Sequence, residues 1–72
     1  MFLIFVKACK KYRFTYAISS YSANNELTLI LRPINTFENI KIEEKLCGLE
    51  SYCRVFIRAI KKMKKYRKER GY

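Results

Sequence analysis

Histidine and tryptophan are absent from the 72 residues, proline occurs once, glycine twice, cysteine three times, and Asp and Glu together number only six. Without histidine there is no imidazole to serve as a general base. Cys9, Cys47 and Cys53 have no metal-ligand spacing, and three thiols without histidine make a poor zinc site. A low, odd cysteine count also argues against a disulfide scaffold. Cys53 reads instead as a small core residue. Gly48 and Gly71 are too few and too far apart for a glycine-rich phosphate loop. The adjacent carboxylates Glu43 and Glu44 read as part of a solvated loop. No catalytic residue, metal, cofactor or small-molecule substrate is therefore expected.

Long apolar runs are missing as well. The opening Met1–Val6 is apolar for six residues and then meets Lys7. A membrane-spanning helix needs about 20 such residues. A signal peptide wants a basic stretch first, then about 7–15 apolar residues and a small-residue cleavage site. Neither pattern is present, so a membrane is not an expected partner. The run reads as a strand or anchor packed on a neighbour.

What remains is positive charge. Sixteen Lys and Arg give a net charge of +10. Residues 1–24 carry +4, residues 25–53 carry −2 and residues 54–72 carry +8. Two basic ends around a mildly acidic middle point to a polyanion contacted at both ends. A chain this short buries only about 60% of its unfolded surface, so a partner is expected to supply part of its stability. Ile, Lys, Asn, Tyr and Phe make up 33 of the 72 residues. Codons rich in A and T encode that set, which fits an organellar or reduced genome.

The chain divides into an extended, basic and aromatic N-terminal arm over 1–24 and a small helical domain over 25–72. In the arm, Phe2, Ile4 and Val6 and then Phe14, Tyr16 and Ile18 alternate in the manner of strands. Lys10, Lys11 and Arg13 surround Tyr12 there, and 19–25 reads as a loop. Asn25 can cap a helix whose apolar face is Leu27, Ile30, Leu31 and Ile34, with Pro33 as a kink or stop; a strand over 27–31 is the competing reading. Residues 35–44 read as irregular. The long basic helix is expected over about 47–68, ending at Gly71, with Cys47 as cap and Glu50 at capping-box spacing. Its apolar stripe is Leu49, Tyr52, Cys53, Phe56, Ile60 and Met63, which would bury against Leu27, Ile30 and Ile34. The fold class expected is mainly α.

Nine of the sixteen cations fall between Arg54 and Arg70, and Arg54–Lys68 holds no acid across fifteen residues. Arg54, Arg58, Lys61, Lys62, Lys65 and Lys68 share one flank, widened by Lys64 and Arg67. Solvated faces ordinarily mix signs, whereas an unbroken cationic row can follow a phosphate backbone. Arg54 and Arg58 stand out, since a guanidinium can grip phosphate with two bonds. Tyr12, Tyr66 and Tyr72 lie among the cations and could stack on unpaired bases. A basic amphipathic helix also fits an anionic membrane or an acidic protein partner, which is the alternative.

The segment Arg54–Lys64 resembles a helix of the bacterial-type small-subunit ribosomal protein eighteen family, which carries Gln-Arg-x-Leu-x-Arg-Ala-Ile-Lys-Arg-Ala-Arg. Here Arg58-Ala59-Ile60-Lys61 matches four residues in a row. Lys45-Leu46-Cys47-Gly48 is similar to the family's Arg-Ile-Thr-Gly turn. Leu27–Asn35 is similar to its first helix in plastid versions. The family's apolar Leu-Leu-Pro-Tyr ending is replaced by Lys65–Arg70. The resemblance, over about Lys11 to Lys65, implies a small, mostly helical domain in the small ribosomal subunit. It would bind the central domain of the small-subunit RNA and sit beside small-subunit protein six. It also implies RNA contacts at Lys45, Arg54, Arg58, Lys61, Lys62 and Lys64. With the composition, it points to an organellar ribosome, plastid before mitochondrial.

Overall fold

Leu27 to Leu31 is an unbroken apolar-rich run that satisfies helical and strand periods alike, and its burial settles which applies. Over Glu26–Pro33, residues Leu27, Leu29, Leu31 and Pro33 are buried while the residues between them are exposed or half-buried. That is the two-residue period of a strand. The computed structural model describes residues 1–21 and 25–70. The element order is α1 (Phe2–Tyr12), β1 (Phe14–Tyr21), β2 (Glu26–Pro33), β3 (Ile40–Lys45) and α2 (Leu49–Glu69). The strands form one antiparallel sheet in the order β1-β2-β3. The fold is α+β, not mainly α. The segment similar to a ribosomal first helix is the central strand.

Pro33 is compatible with that strand. Ile34 N donates to Arg13 O at 2.9 Å, so by alternation the Pro33 nitrogen points away from β1. On that other side β3 has already ended, at the pair Leu31–Ile40. No ladder bond is lost. Asn25, expected as a helix cap, instead has φ 50 and leads into β2. β3 lies where irregular chain was expected.

The N-terminal residues form a helix rather than an extended arm. Phe5 and Cys9, four residues apart, are buried, with Val6, Ala8 and Tyr12 packed beside them. Burying that stripe outweighs the strand propensity of Phe2, Ile4 and Val6. α1 ends at Arg13, whose backbone is left-handed at φ 62 and whose N–H bonds Cys9 O.

α2 buries Ser51, Val55, Phe56, Ala59 and Met63. The stripe is rotated from the one expected: Leu49 is 83% exposed and Cys53 is exposed too. Gly48, not Cys47, is the cap, and its φ of 89 favours glycine. Ser51 completes the entry. Its Oγ accepts from Cys47 N at 2.6 Å and donates to Lys45 O at 2.8 Å.

Both helices cover the same sheet face. Phe14, Leu27, Leu29, Leu31 and Ile42 meet Phe5 and Cys9 from α1 and Val55, Phe56, Ala59 and Met63 from α2 in one core. Phe5 and Phe56 stack with ring centroids 4.8 Å apart. Further along, Arg67 of α2 reaches the last carbonyls of α1. The helices therefore run parallel, and their C-termini lie at one end of a molecule measuring 39 × 23 × 17 Å. The β2–β3 loop shares that end, since Tyr66 Oη donates to Glu38 at 2.9 Å and Arg70 pairs with Glu38 at 3.5 Å.

Candidate nucleic-acid interface

Parallel helices make one cationic region from two distant stretches of sequence. Lys10 and Lys11 form the last turn of α1, and Arg13 follows it. Beside them lies the C-terminal half of α2, with Lys61, Lys62, Lys64, Lys65, Arg67 and Lys68. Ile57, Lys61, Lys64 and Lys68, at spacings of four, three and four, form a ridge opposite the buried stripe, and all four are exposed.

These cations differ in what they already hold. Arg67 is the most committed. Its Nε donates to Tyr12 O at 2.6 Å and its Nη2 to Arg13 O at 3.0 Å, and its guanidinium lies over the rings of Phe14 and Tyr66. It caps α1 and is only half-exposed. Lys65 stands 4.0 Å from Glu69, and Lys11 lies over the Tyr12 ring. Lys10, Arg13, Lys61, Lys62, Lys64 and Lys68 make no ion pair among the described residues.

Lys45, Arg54 and Arg58 lie elsewhere, at the end of β3 and in the N-terminal half of α2, among acids. Glu44 Oε2 takes Arg58 Nη1 at 3.1 Å and Arg54 Nε at 3.9 Å. Arg58 Nη1 also donates to Glu43 O at 3.1 Å, and Arg54 Nη1 is 3.8 Å from Glu50. Glu44 sits on the helix-facing side of β3, paired across from Leu27, so the two arginines tie α2 to the sheet edge. Lys45 is exposed beside Glu26, Glu43 and Glu44. Such part-exposed pairs contribute little stability each, but they occupy the guanidiniums that the sequence singles out for phosphate.

The tyrosines are also partly occupied. Tyr66 is half-buried, hydrogen-bonded to Glu38, edge-on to Phe14 and covered by Arg70 at 4.6 Å. Tyr12 is half-buried, and Tyr72 lies outside the described residues.

Three residues at or beside the basic region escape a reading of the sequence alone. Lys7 is exposed one turn before Lys10 and Lys11, a placement visible only once 2–12 is known to be helical. Arg70 reaches Glu38 in the β2–β3 loop. Phe37 in that loop is 98% exposed; an aromatic set between Asn35 and Asn39 was the available signal.

The concave places on the described surface are shallow. One is lined by Arg13, Ile34, Asn35, Thr36 and Arg67 beside the basic end. Another lies on the outer sheet face at Thr15, Ala17, Ile30, Arg32 and Asn39. Among the described residues no three His, Cys, Asp or Glu side chains are placed to hold a metal, and no helix is long and apolar enough to cross a membrane. Cys9 is buried, and desolvation pushes its thiol up to about 11. Cys47 and Cys53 are exposed, and all three are free. No protein-family model, curated protein or solved structure matches the chain significantly.

Proposed function

We propose that this protein binds RNA through the cationic end formed by the C-termini of its two helices. One observation carries the reading. The fold sets Lys10, Lys11 and Arg13 at the end of α1 beside the half of α2 that carries Lys61, Lys64 and Lys68, and none of the six makes an ion pair among the described residues, while acids pair with Arg54 and Arg58 in the other half. A row of unpaired lysines recognises phosphate by charge and spacing. A narrower form makes the protein a constituent of the small ribosomal subunit of an organelle, plastid before mitochondrion, beside the central domain of its RNA and protein six. That form rests on the resemblance of Arg54–Lys64, which lies within α2, and on the composition. The three-stranded sheet departs from the helical domain which that resemblance implies, so RNA binding itself is the reading we favour.

Salt titration tests it. Affinity for a structured RNA should fall with a log–log slope of about −0.7 per phosphate for unpaired regions. Replacing Lys61, Lys64 and Lys68 together by Gln should flatten that slope by about 2 while leaving the fold intact. An unchanged slope would remove the ridge from the interface.

A second reading has its own observation. Leu3 and Ile4 are 73% and 59% exposed, and Ile57 is exposed as well, near the level where Phe2 and Phe5 meet Phe56. Apolar residues beside lysines suit an anionic membrane surface. Binding to anionic vesicles that persists in high salt, without preference for RNA, would favour it.

A further inference from the structure

Phe37 is the most exposed large apolar side chain of the described residues, yet the chain on either side of it is firmly held. Asn35 takes the left-handed conformation at φ 67 that turns the chain. Thr36 N donates to Pro33 O at 3.2 Å, and Thr36 Oγ1 donates to the same carbonyl at 2.9 Å. That hydroxyl also accepts from Glu38 N at 3.3 Å. Glu38 is gripped by the Tyr66 hydroxyl and by Arg70. Arg32 Nε donates to Asn39 Oδ1 at 2.9 Å. The residues before and after Phe37 are both anchored, and the ring between them is in water.

A single exposed apolar residue is ordinary on a protein surface. Its location is what gives this one meaning. The loop that carries it lines a depression with Arg13 and Arg67, and its Glu38 is bound by Arg70 from the end of α2. The loop therefore lies at the end of the molecule where the helix C-termini and their lysines gather, and its ring is open to solvent there. An aromatic face among cations is the chemistry that receives a base whose phosphates are held alongside. A base inside a duplex is already stacked on its neighbours, and the A-form major groove does not admit side chains. Away from a helix end, only an unpaired, splayed base can present its face to such a ring.

We infer that Phe37 is a stacking platform for an unpaired nucleotide, so that the protein's RNA target carries a loop or bulge at the cationic end. The inference rests on the RNA-binding reading and narrows it from any RNA to RNA with unstacked bases. Because loop anchoring falls on Thr36, Glu38 and Asn39 and not on the ring, the ring can be changed without disturbing the fold.

The test uses the full chain, an RNA hairpin with an adenine loop, and the same stem as a blunt duplex. Phe37→Ala should weaken hairpin binding by about 5- to 150-fold, the range for losing one base–aromatic stack. It should leave the salt slope and the duplex affinity unchanged. Phe37→Trp should retain binding, and its tryptophan, the chain's only one, should be quenched by the hairpin and not by the duplex. Hairpin binding of Phe37→Ala equal to wild type, with the salt slope intact, overturns the stacking role and leaves RNA binding standing. Absence of salt-dependent binding to either RNA overturns both. Insensitivity of the tryptophan to the hairpin, with a blue shift on vesicles containing phosphatidylserine, assigns the ring to lipid and overturns the inference.

Discussion

Arg67 separates two meanings of a basic residue, and its replacement by Ala gives a definite number. The guanidinium donates to the carbonyl of Tyr12, the last residue of α1, and to that of Arg13 just beyond it. A hydrogen bond to a charged group contributes about 1.5–3 kcal/mol, and a cation at a helix C-terminus adds about 0.3–1 kcal/mol. Its position over Phe14 and Tyr66 adds a cation–π contribution of about 0.5–1 kcal/mol. These terms overlap and the side chain is half-exposed, so the net loss on truncation is about 2–3 kcal/mol. For a domain of this size each kcal/mol shifts the melting temperature by about 4–8 °C, which gives a fall of about 8–24 °C. The control is Lys68→Ala, which removes the same charge from the next residue, is exposed, and should stay within about 0.5 kcal/mol of wild type. Thermal unfolding followed by circular dichroism, for both variants at one salt concentration, decides the matter. Equal melting temperatures for the two would refute the claim that Arg67 clamps α1 to α2.

Two other perturbations follow from single buried groups. Ser51→Ala removes the hydroxyl that serves both Cys47 N and Lys45 O; it should cost about 1–3 kcal/mol in urea unfolding, and a cost below about 0.5 kcal/mol would mean that water replaces it freely. Cys9 is neutral in the fold because its thiol is pushed from 9.0 up to about 11. Its contribution is therefore fully present below pH 9 and lost as pH rises from there to 11, by about 2–3 kcal/mol in total. Cys9→Ala should flatten that decline, as read from unfolding midpoints between pH 8 and 11, and an equally steep decline would place its cause elsewhere.

The basic helix was legible because its charge and the spacing of Phe56, Ile60 and Met63 agree. Its orientation was not. The face toward the sheet carries Ser51, Val55 and Ala59, small residues that let the helix approach a flat surface, while the larger Leu49 is left in water. A reading that ranks residues by hydrophobicity chooses the wrong one. In β2, Ile30 is apolar although it lies on the outer face, so the run fits both periods and only pairing with Ile18 and Ile42 through Leu29 fixes it. In α1, strand-forming residues become helical because Phe5 and Cys9 can then bury together. The placement of cations in the sequence was plain, but their division into paired and unpaired groups was not. That division depends on Glu44 facing Arg54 and Arg58 across a strand and a helix, contacts ten and fourteen residues apart in sequence.

That division also bears on how folding and binding are connected. Like charges within about 8 Å repel at physiological salt, and the parallel helices hold Lys10 and Lys11 at the same end as Lys64, Lys65 and Lys68. Part of the repulsion is offset locally, because both helix C-termini point there and present partial negative charge. Glu38 and Glu69 offset a little more. Even so, Lys61, Lys64 and Lys68 of the ridge make no ion pair among the described residues. A fold selected for stability alone would place acids opposite them, as it does for Arg54 and Arg58 at the other end. Leaving them bare costs the free protein stability that a bound polyanion would return, since a ligand that binds only the folded state stabilises it by an amount that grows with its concentration relative to its Kd. In a chain too short to bury a large core, such a ligand is also the least expensive source of the stability the core cannot supply.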